Sequence, residues 1–142
     1  MLTHIETGEI FVLKQIELNV NELPKEKLVE VKILASLNIQ YVVKYFDSFI
    51  EKSKLYILME YCERKDLEEF LSKSYGLTER RIWKFLIEIC VALEHIHKQN
   101  IIHRDLKPKN VFITRDYQIR IGDLGVSLLS KFLLYIFRLQ LY

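Results

Sequence analysis

The densest chemistry in the sequence lies at His103-Arg104-Asp105-Leu106-Lys107-Pro108-Lys109-Asn110. Asp105 can accept a hydroxyl proton, Lys107 can neutralise a phosphate, and Asn110 can offer an amide oxygen to Mg²⁺. Magnesium prefers oxygen ligands and takes one or two carboxylates plus phosphate, so a second carboxylate is expected close by. Asp123, in Gly122-Asp123-Leu124-Gly125, supplies it. Nucleotide-dependent phosphoryl transfer is the simplest chemistry that uses all four groups.

These groups need elements to bring them together. Val111-Phe112-Ile113 and Ile119-Arg120-Ile121 read as short strands around a polar turn, a hairpin that returns Asp123 toward Asp105. Ahead of the loop, Thr78 can cap a long helix in which Ile82, Phe85, Ile89, Leu93 and Ile96 form one stripe. Asp66-Leu67-Glu68-Glu69 has the form of a capping box opening a short helix that ends near Lys73. Tyr41 to Phe49 and Leu55 to Glu60 read as strands. The run after Pro24 places Leu28, Val31, Leu34 and Leu37 at helical spacing. From Ile10 to Leu18 the chain alternates, with Ile10, Val12, Lys14, Ile16 and Leu18 on one face. Lys14 is the anomaly there, a charge in an apolar row.

Composition bounds the alternatives. The 142 residues predict one domain with a real core, and the net charge of +2 leaves no basic surplus for dedicated nucleic-acid binding. The four glycines form no G-x-G, so neither a P-loop nor a dinucleotide fingerprint is present. Cys62 and Cys90 have no metal-type or disulfide-framework spacing, which makes a reducing compartment the default. Cys90, in an apolar helical run, is expected to pack as a small hydrophobe. The N-terminal run shows no signal-type pattern, so a cytoplasmic location is expected. Residues 128–142 are mostly apolar but too short and interrupted to predict a membrane span.

The loop at 103–110 followed by Asp123-Leu124-Gly125 strongly resembles the catalytic loop and metal-binding motif of eukaryotic protein kinases. Lys107, two after the aspartate, resembles the serine/threonine type. Phe11-Val12-Leu13-Lys14 is similar to the family's lysine strand, and Glu30 to the helix glutamate that pairs with that lysine. Leu58-Met59-Glu60-Tyr61-Cys62 resembles the gatekeeper and hinge. The details Gly-Asp-Leu-Gly-Val-Ser and Met-Glu-Tyr-Cys are most similar to NIMA-related kinases.

This resemblance implies an α+β, two-lobed kinase-like fold, present in part. The small lobe covers about 1–60, the hinge 60–65, the start of the large lobe 66–127, and an unmatched apolar tail 128–142. It implies ATP and Mg²⁺ as cofactors and a protein hydroxyl as acceptor. Asp105, Lys107 and Asn110 would be catalytic, with Asn110 and Asp123 on the metal. Lys14, fixed by Glu30, would hold the α/β-phosphates. Val12 and Met59 would face adenine, Glu60 and Cys62 would offer it backbone groups, and Asp66 would meet the ribose. His103 would brace the loop and Arg104 would meet a phosphorylated activation segment.

Asp66 also reads as a plain helix cap, and Asp123 as a turn residue. Against the family pattern, the chain opens at the turn Thr7-Gly8-Glu9, without the glycine-rich loop and first two strands. Val12 stands where the family prefers alanine. The expected consequences are an uncovered edge beside the Lys14 strand, open to the tail, exposed apolar surface on the long helix, and a weakly active or inactive chain. The rival readings are a non-catalytic kinase product, a small-molecule phosphotransferase with a related loop, and a tail that is a membrane or partner-binding helix.

Overall fold

The computed structural model describes residues 1–18, 31, 33–74, 76–124 and 128–129. Its elements in chain order are β1 (Leu2–Thr3), β2 (Ile10–Glu17), α1 (helical at 31 and 33–36), β3 (Tyr45–Glu51) and β4 (Lys54–Glu60). They are followed by α2 (Leu67–Lys73), α3 (Glu79–Lys98), β5 (Ile101–Ile102), a 3₁₀ turn at Pro108–Asn110, β6 (Val111–Ile113), β7 (Ile119–Ile121) and β8 (Leu128–Leu129). The result is a small antiparallel sheet followed by helices and short strand pairs, a mixed fold of the two-lobed kind expected.

The first sheet has the order β1-β2-β4-β3, antiparallel throughout. In β4, Leu55 and Ile57 are buried against Leu34, Leu37 and Val42, as period-two alternation requires. The sequence placed no strand ahead of the turn at 7–9, yet Leu2 and Thr3 pair with Phe11 and Ile10 there. This short strand reaches only those two residues of β2. The described part of the tail does not cover the rest of the edge: β8 pairs with β5 instead.

Strand β3 begins at Tyr45, four residues later than Tyr41. The intervening residues take other partners: Tyr41 O accepts from the Ile121 amide at 2.8 Å, and the Val43 amide donates to Ile121 O at 2.9 Å. The chain there leaves the sheet to bond β7, which welds the two halves. Arg120 on β7 adds a second tie, its Nε donating to both Glu60 carboxylate oxygens at 3.0 Å. Most of the helix anticipated after Pro24, including Leu28 and Glu30, lies outside the described residues.

Helix α2 starts where expected, with the Asp66 carboxylate accepting from the Glu69 amide at 2.8 Å. Thr78 precedes α3 but makes no side-chain cap bond. The inward side of α3 is Phe85, Glu88, Ala92 and Ile96. Ile82, assigned to that stripe, is instead 50% exposed, because it sits about 60° around the helix from Phe85. Cys90 is also exposed rather than packed, for the same angular reason; Cys62 is the buried thiol. The expected apolar exposure on α3 is present at Ile82, Trp83, Leu86 and Ile87. Among the described residues, no helix is long and apolar enough to cross a membrane.

Candidate active site

One cavity of about 510 Å³ lies between the sheet and the β6–β7 hairpin, within the size range of small-molecule sites. Its walls are Val12 from β2, Leu34 from α1, Val43, Met59 from β4 and Phe112 from β6. Lys14, Asn110 and Asp123 supply its polar end, and Glu60, Cys62 and Asp66 line it beside the 61–65 connection. Eight of the sequence-selected residues therefore share one space. Glu30 lies outside the described residues, and Asp105 and Lys107 are not part of the lining.

Lys14 reaches the cavity from the middle of β2, where its register partner is Ile57. Its ammonium donates to Asp123 Oδ1 at 2.9 Å. Asp123 has φ of +56°, a left-handed backbone that aspartate tolerates better than most residues. That conformation is held by its neighbour: the Gly122 amide donates to Asn110 O at 2.9 Å, and Gly122 O accepts from His103 at 3.0 Å.

His103 is 2% exposed and bonds at both ring nitrogens. Nε2–H donates to the Gly122 carbonyl, while Nδ1 accepts from the Asp105 amide at 3.4 Å. A carbonyl can only accept and an amide N–H can only donate, so the ring carries its proton on Nε2. His103 thus clips the 103–110 loop to the segment bearing Asp123. Arg104, with φ of +66°, turns the chain between them.

Asn110 is buried, and its Nδ2 donates to Asp105 O at 2.8 Å and to Asp105 Oδ2 at 3.0 Å. Both partners are acceptors, so the amide orientation is determined, and the side-chain oxygen is the end left for a cation. Lys107 donates to Asp105 Oδ2 at 2.6 Å. The Lys107 ammonium, hydrogen-bonding the carboxylate, holds Asp105 below its ordinary value of 3.8. The same bond raises Lys107, and Asp123 adds to that shift. Asp105 is therefore an ionised, oriented acceptor one residue removed from the cavity through Asn110.

The hinge-like residues divide their atoms between structure and site. The Glu60 carboxylate is committed to Arg120 and to the Lys44 amide at 3.1 Å, and its own N–H donates to Lys44 O. Burial pushes the Cys62 thiol up to about 12, which makes it inert lining rather than a nucleophile.

Several lining residues escaped the sequence reading. Phe112 was discoverable: in Val111-Phe112-Ile113 its neighbours are buried, so alternation turns it the other way, toward the cavity. Gly122, which the sequence offers only as the neighbour of Asp123, is required by contact. A β-carbon there would lie 2.8 Å from Phe112 Cε2 and 2.9 Å from Val43 Cγ2.

The donor set fits a nucleotide-borne magnesium ion. Among the described residues no group of three or more acidic, histidine or cysteine side chains gathers as a protein-only metal cage. One carboxylate and one amide oxygen beside a lysine suit an ion that brings phosphate oxygens with it.

Comparison with known proteins gives the same direction. Residues 1–131 match the family described as Protein kinase domain. Serine/threonine-protein kinase Nek1 of Mus musculus is 36% identical over 128 residues, covering 86% of this chain and 10% of that protein. Probable serine/threonine-protein kinase nek2 of Dictyostelium discoideum is 39% identical over 133 residues, covering 86% of this chain and 32% of that protein. Serine/threonine-protein kinase Nek3 of Mus musculus is 34% identical over 121 residues, covering 84% and 24%. The chain thus spans a third or less of the length of these relatives.

Proposed function

The chain belongs to the protein kinase domain family, and from that premise we propose that it carries the nucleotide-binding and catalytic-loop portion of a serine/threonine kinase of the NIMA-related type. The observation that carries the reading is the Lys14–Asp123 pair at 2.9 Å across an apolar-walled cavity, with Asn110 beside it. Val12, Met59 and Phe112 form a slot for adenine, Cys62 and the Glu60 carbonyl lie along its edge, and Asp66 faces the ribose. Lys14 holds the α/β-phosphates. Bound Mg²⁺, held by Asp123 and the Asn110 amide oxygen, would neutralise charge on the phosphate oxygens.

In the transfer, an acceptor Ser or Thr oxygen bonds the γ-phosphorus as the bond to the β-phosphate oxygen breaks and ADP departs. Asp105 orients the hydroxyl and takes its proton. A carboxylate held below its ordinary value is a weak base, so proton acceptance comes late, and positioning is its larger contribution. Lys107 steadies the γ-phosphate. The relatives are much longer, so transfer is assigned to the whole protein, and the isolated chain is expected to be weakly active or inactive. Radiolabelled phosphate transfer from ATP to a protein acceptor tests the reading. Transfer abolished by Asp105→Asn supports it; transfer unchanged by that substitution contradicts the role of Asp105.

A further inference from the structure

Two arginines stack on one tyrosine ring at the turn between β6 and β7. The Arg64 guanidinium carbon lies 3.7 Å from the centre of the Tyr117 ring, and that of Arg81 lies 4.2 Å from it. Two guanidinium planes this near one centre would overlap if they shared a face. The ring is therefore held between them, with their carbons at most about 8 Å apart. This clamp joins the 61–65 connection, the first turn of α3 and the hairpin turn, and none of its three residues lines the cavity described above.

The arrangement runs against local preference. Tyr117 has φ of +58°, a left-handed backbone that a bulky ring rarely adopts. Arg80 and Arg81 stand in the first turn of α3, where the helix dipole favours acidic side chains, and Thr78 adds no side-chain cap there. The neighbouring carboxylates are engaged elsewhere. Glu63 accepts from the Arg115 amide at 2.8 Å, Glu79 accepts from Trp83 Nε1–H at 3.3 Å, and Glu88 is paired with Lys84. Among the described residues, Arg64, Arg80, Arg81 and Arg115 form no ion pair with any carboxylate, Asp116 included. Four arginines without a counter-charge thus gather around one turn.

Stacking occupies the faces of the two guanidiniums and leaves their in-plane N–H edges for planar anions. Arg64 uses Nε on Arg115 O at 3.0 Å and keeps both terminal nitrogens. Among the described residues Arg81 makes no side-chain hydrogen bond. Two forks held about 8 Å apart match carboxylates on alternate residues of an extended chain, which leave one face about 6.8 Å apart. We propose that Arg64 and Arg81 dock an extended acidic segment of a partner protein, one carboxylate to each guanidinium, with Arg80 and Arg115 adding to the attraction.

Fluorescence anisotropy of the intact chain tests this with a labelled peptide whose glutamates alternate with threonine. An isomer of the same composition with its glutamates adjacent is the control. The alternating peptide should bind at least about fivefold more tightly, because adjacent side chains leave opposite faces. Arg81→Gln should weaken its binding about tenfold, and Arg64→Lys, which keeps the charge without the fork, should erase the preference for alternate spacing. Nitrogen-15 spectra of the arginine side chains provide a measurement that needs no substitution: the peptide should shift the Arg64 and Arg81 Nε signals. Unshifted signals, or equal binding by the wild-type chain and both variants, would overturn the proposal and leave the clamp a structural tie. Tighter binding to a single-stranded oligonucleotide than to the peptide would also overturn it, assigning the patch to nucleic acid.

Discussion

Lys14 Nζ and Asp123 Oδ1, separated by 109 positions in the chain, meet at 2.9 Å across the cavity. The pair joins the only charged residue on the inward row of β2 to the segment after the β6–β7 hairpin. Both side chains retain solvent access, 32% and 47%, so the pair contributes about 1 kcal/mol or less to folding. On the proposed function, the Lys14 ammonium of this pair would serve a phosphate.

Lys14→Met should leave thermal stability nearly unchanged while weakening ATP binding about 10–100-fold, the loss of a charge-assisted contact to phosphate. Titration with a fluorescent ATP analogue measures the second effect and a melting curve the first. Unchanged affinity would remove Lys14 from the phosphate site.

The Asp105–Lys107 pair gives a pH prediction with a defined sign. Asp105 lies below 3.8 when folded, so its contribution is complete above 3.8 and is lost as pH falls through the lower folded value. Lys107 lies above 10.5, so its contribution is complete below 10.5 and is lost as pH rises through the raised value. In a carbon-detected NMR titration, the Asp105 carboxyl should titrate below 3.8, and Lys107→Ala should move it upward. A wild-type midpoint at or above 3.8 would contradict the pairing.

Glu88 is a buried carboxylate that holds the hairpin to α3. Its Oε2 accepts from the Ile119 amide at 2.9 Å, and Oε1 meets Lys84 Nζ at 3.1 Å. Glu88→Ala strands the buried Ile119 N–H and should cost about 1–3 kcal/mol, whereas Glu88→Gln keeps an acceptor there and should cost less. Urea melts of the two variants distinguish this from simple loss of side-chain packing, which would make them equal.

Gly122→Ala should destabilise by about 1–3 kcal/mol, because the added methyl group meets Phe112 and Val43 at under 3 Å. Pairing it with Phe112→Leu should recover part of that loss in a denaturation series. Additive losses would mean that the ring is not what excludes the methyl.

Local pattern made much of this legible. The hairpin at 111–121, the Asp66 cap and the end of α2 at Lys73 lie where turn chemistry and capping place them. Lys14 was conspicuous because a charge interrupts an apolar row. What the sequence could not show depends on tertiary partners. Tyr41 to Lys44 has strand composition, yet bonds β7 because Ile121 presents its amide and carbonyl there. Nothing in the sequence around Glu88 marks the buried Ile119 amide from which it accepts. The α3 stripe was misread at Ile82 because both sides of that helix are apolar, so periodicity alone could not select the buried one.

On the proposed function, Lys14, Asn110 and Asp123 form a site for magnesium-bearing ATP. Calorimetric titration of the intact chain with ATP, with and without Mg²⁺, tests it most directly when repeated on Asp123→Ala. Tighter binding with Mg²⁺ is expected for the wild-type chain, with loss of that magnesium-dependent part in the variant. Binding that ignores both Mg²⁺ and the substitution, or no binding at all, would contradict it.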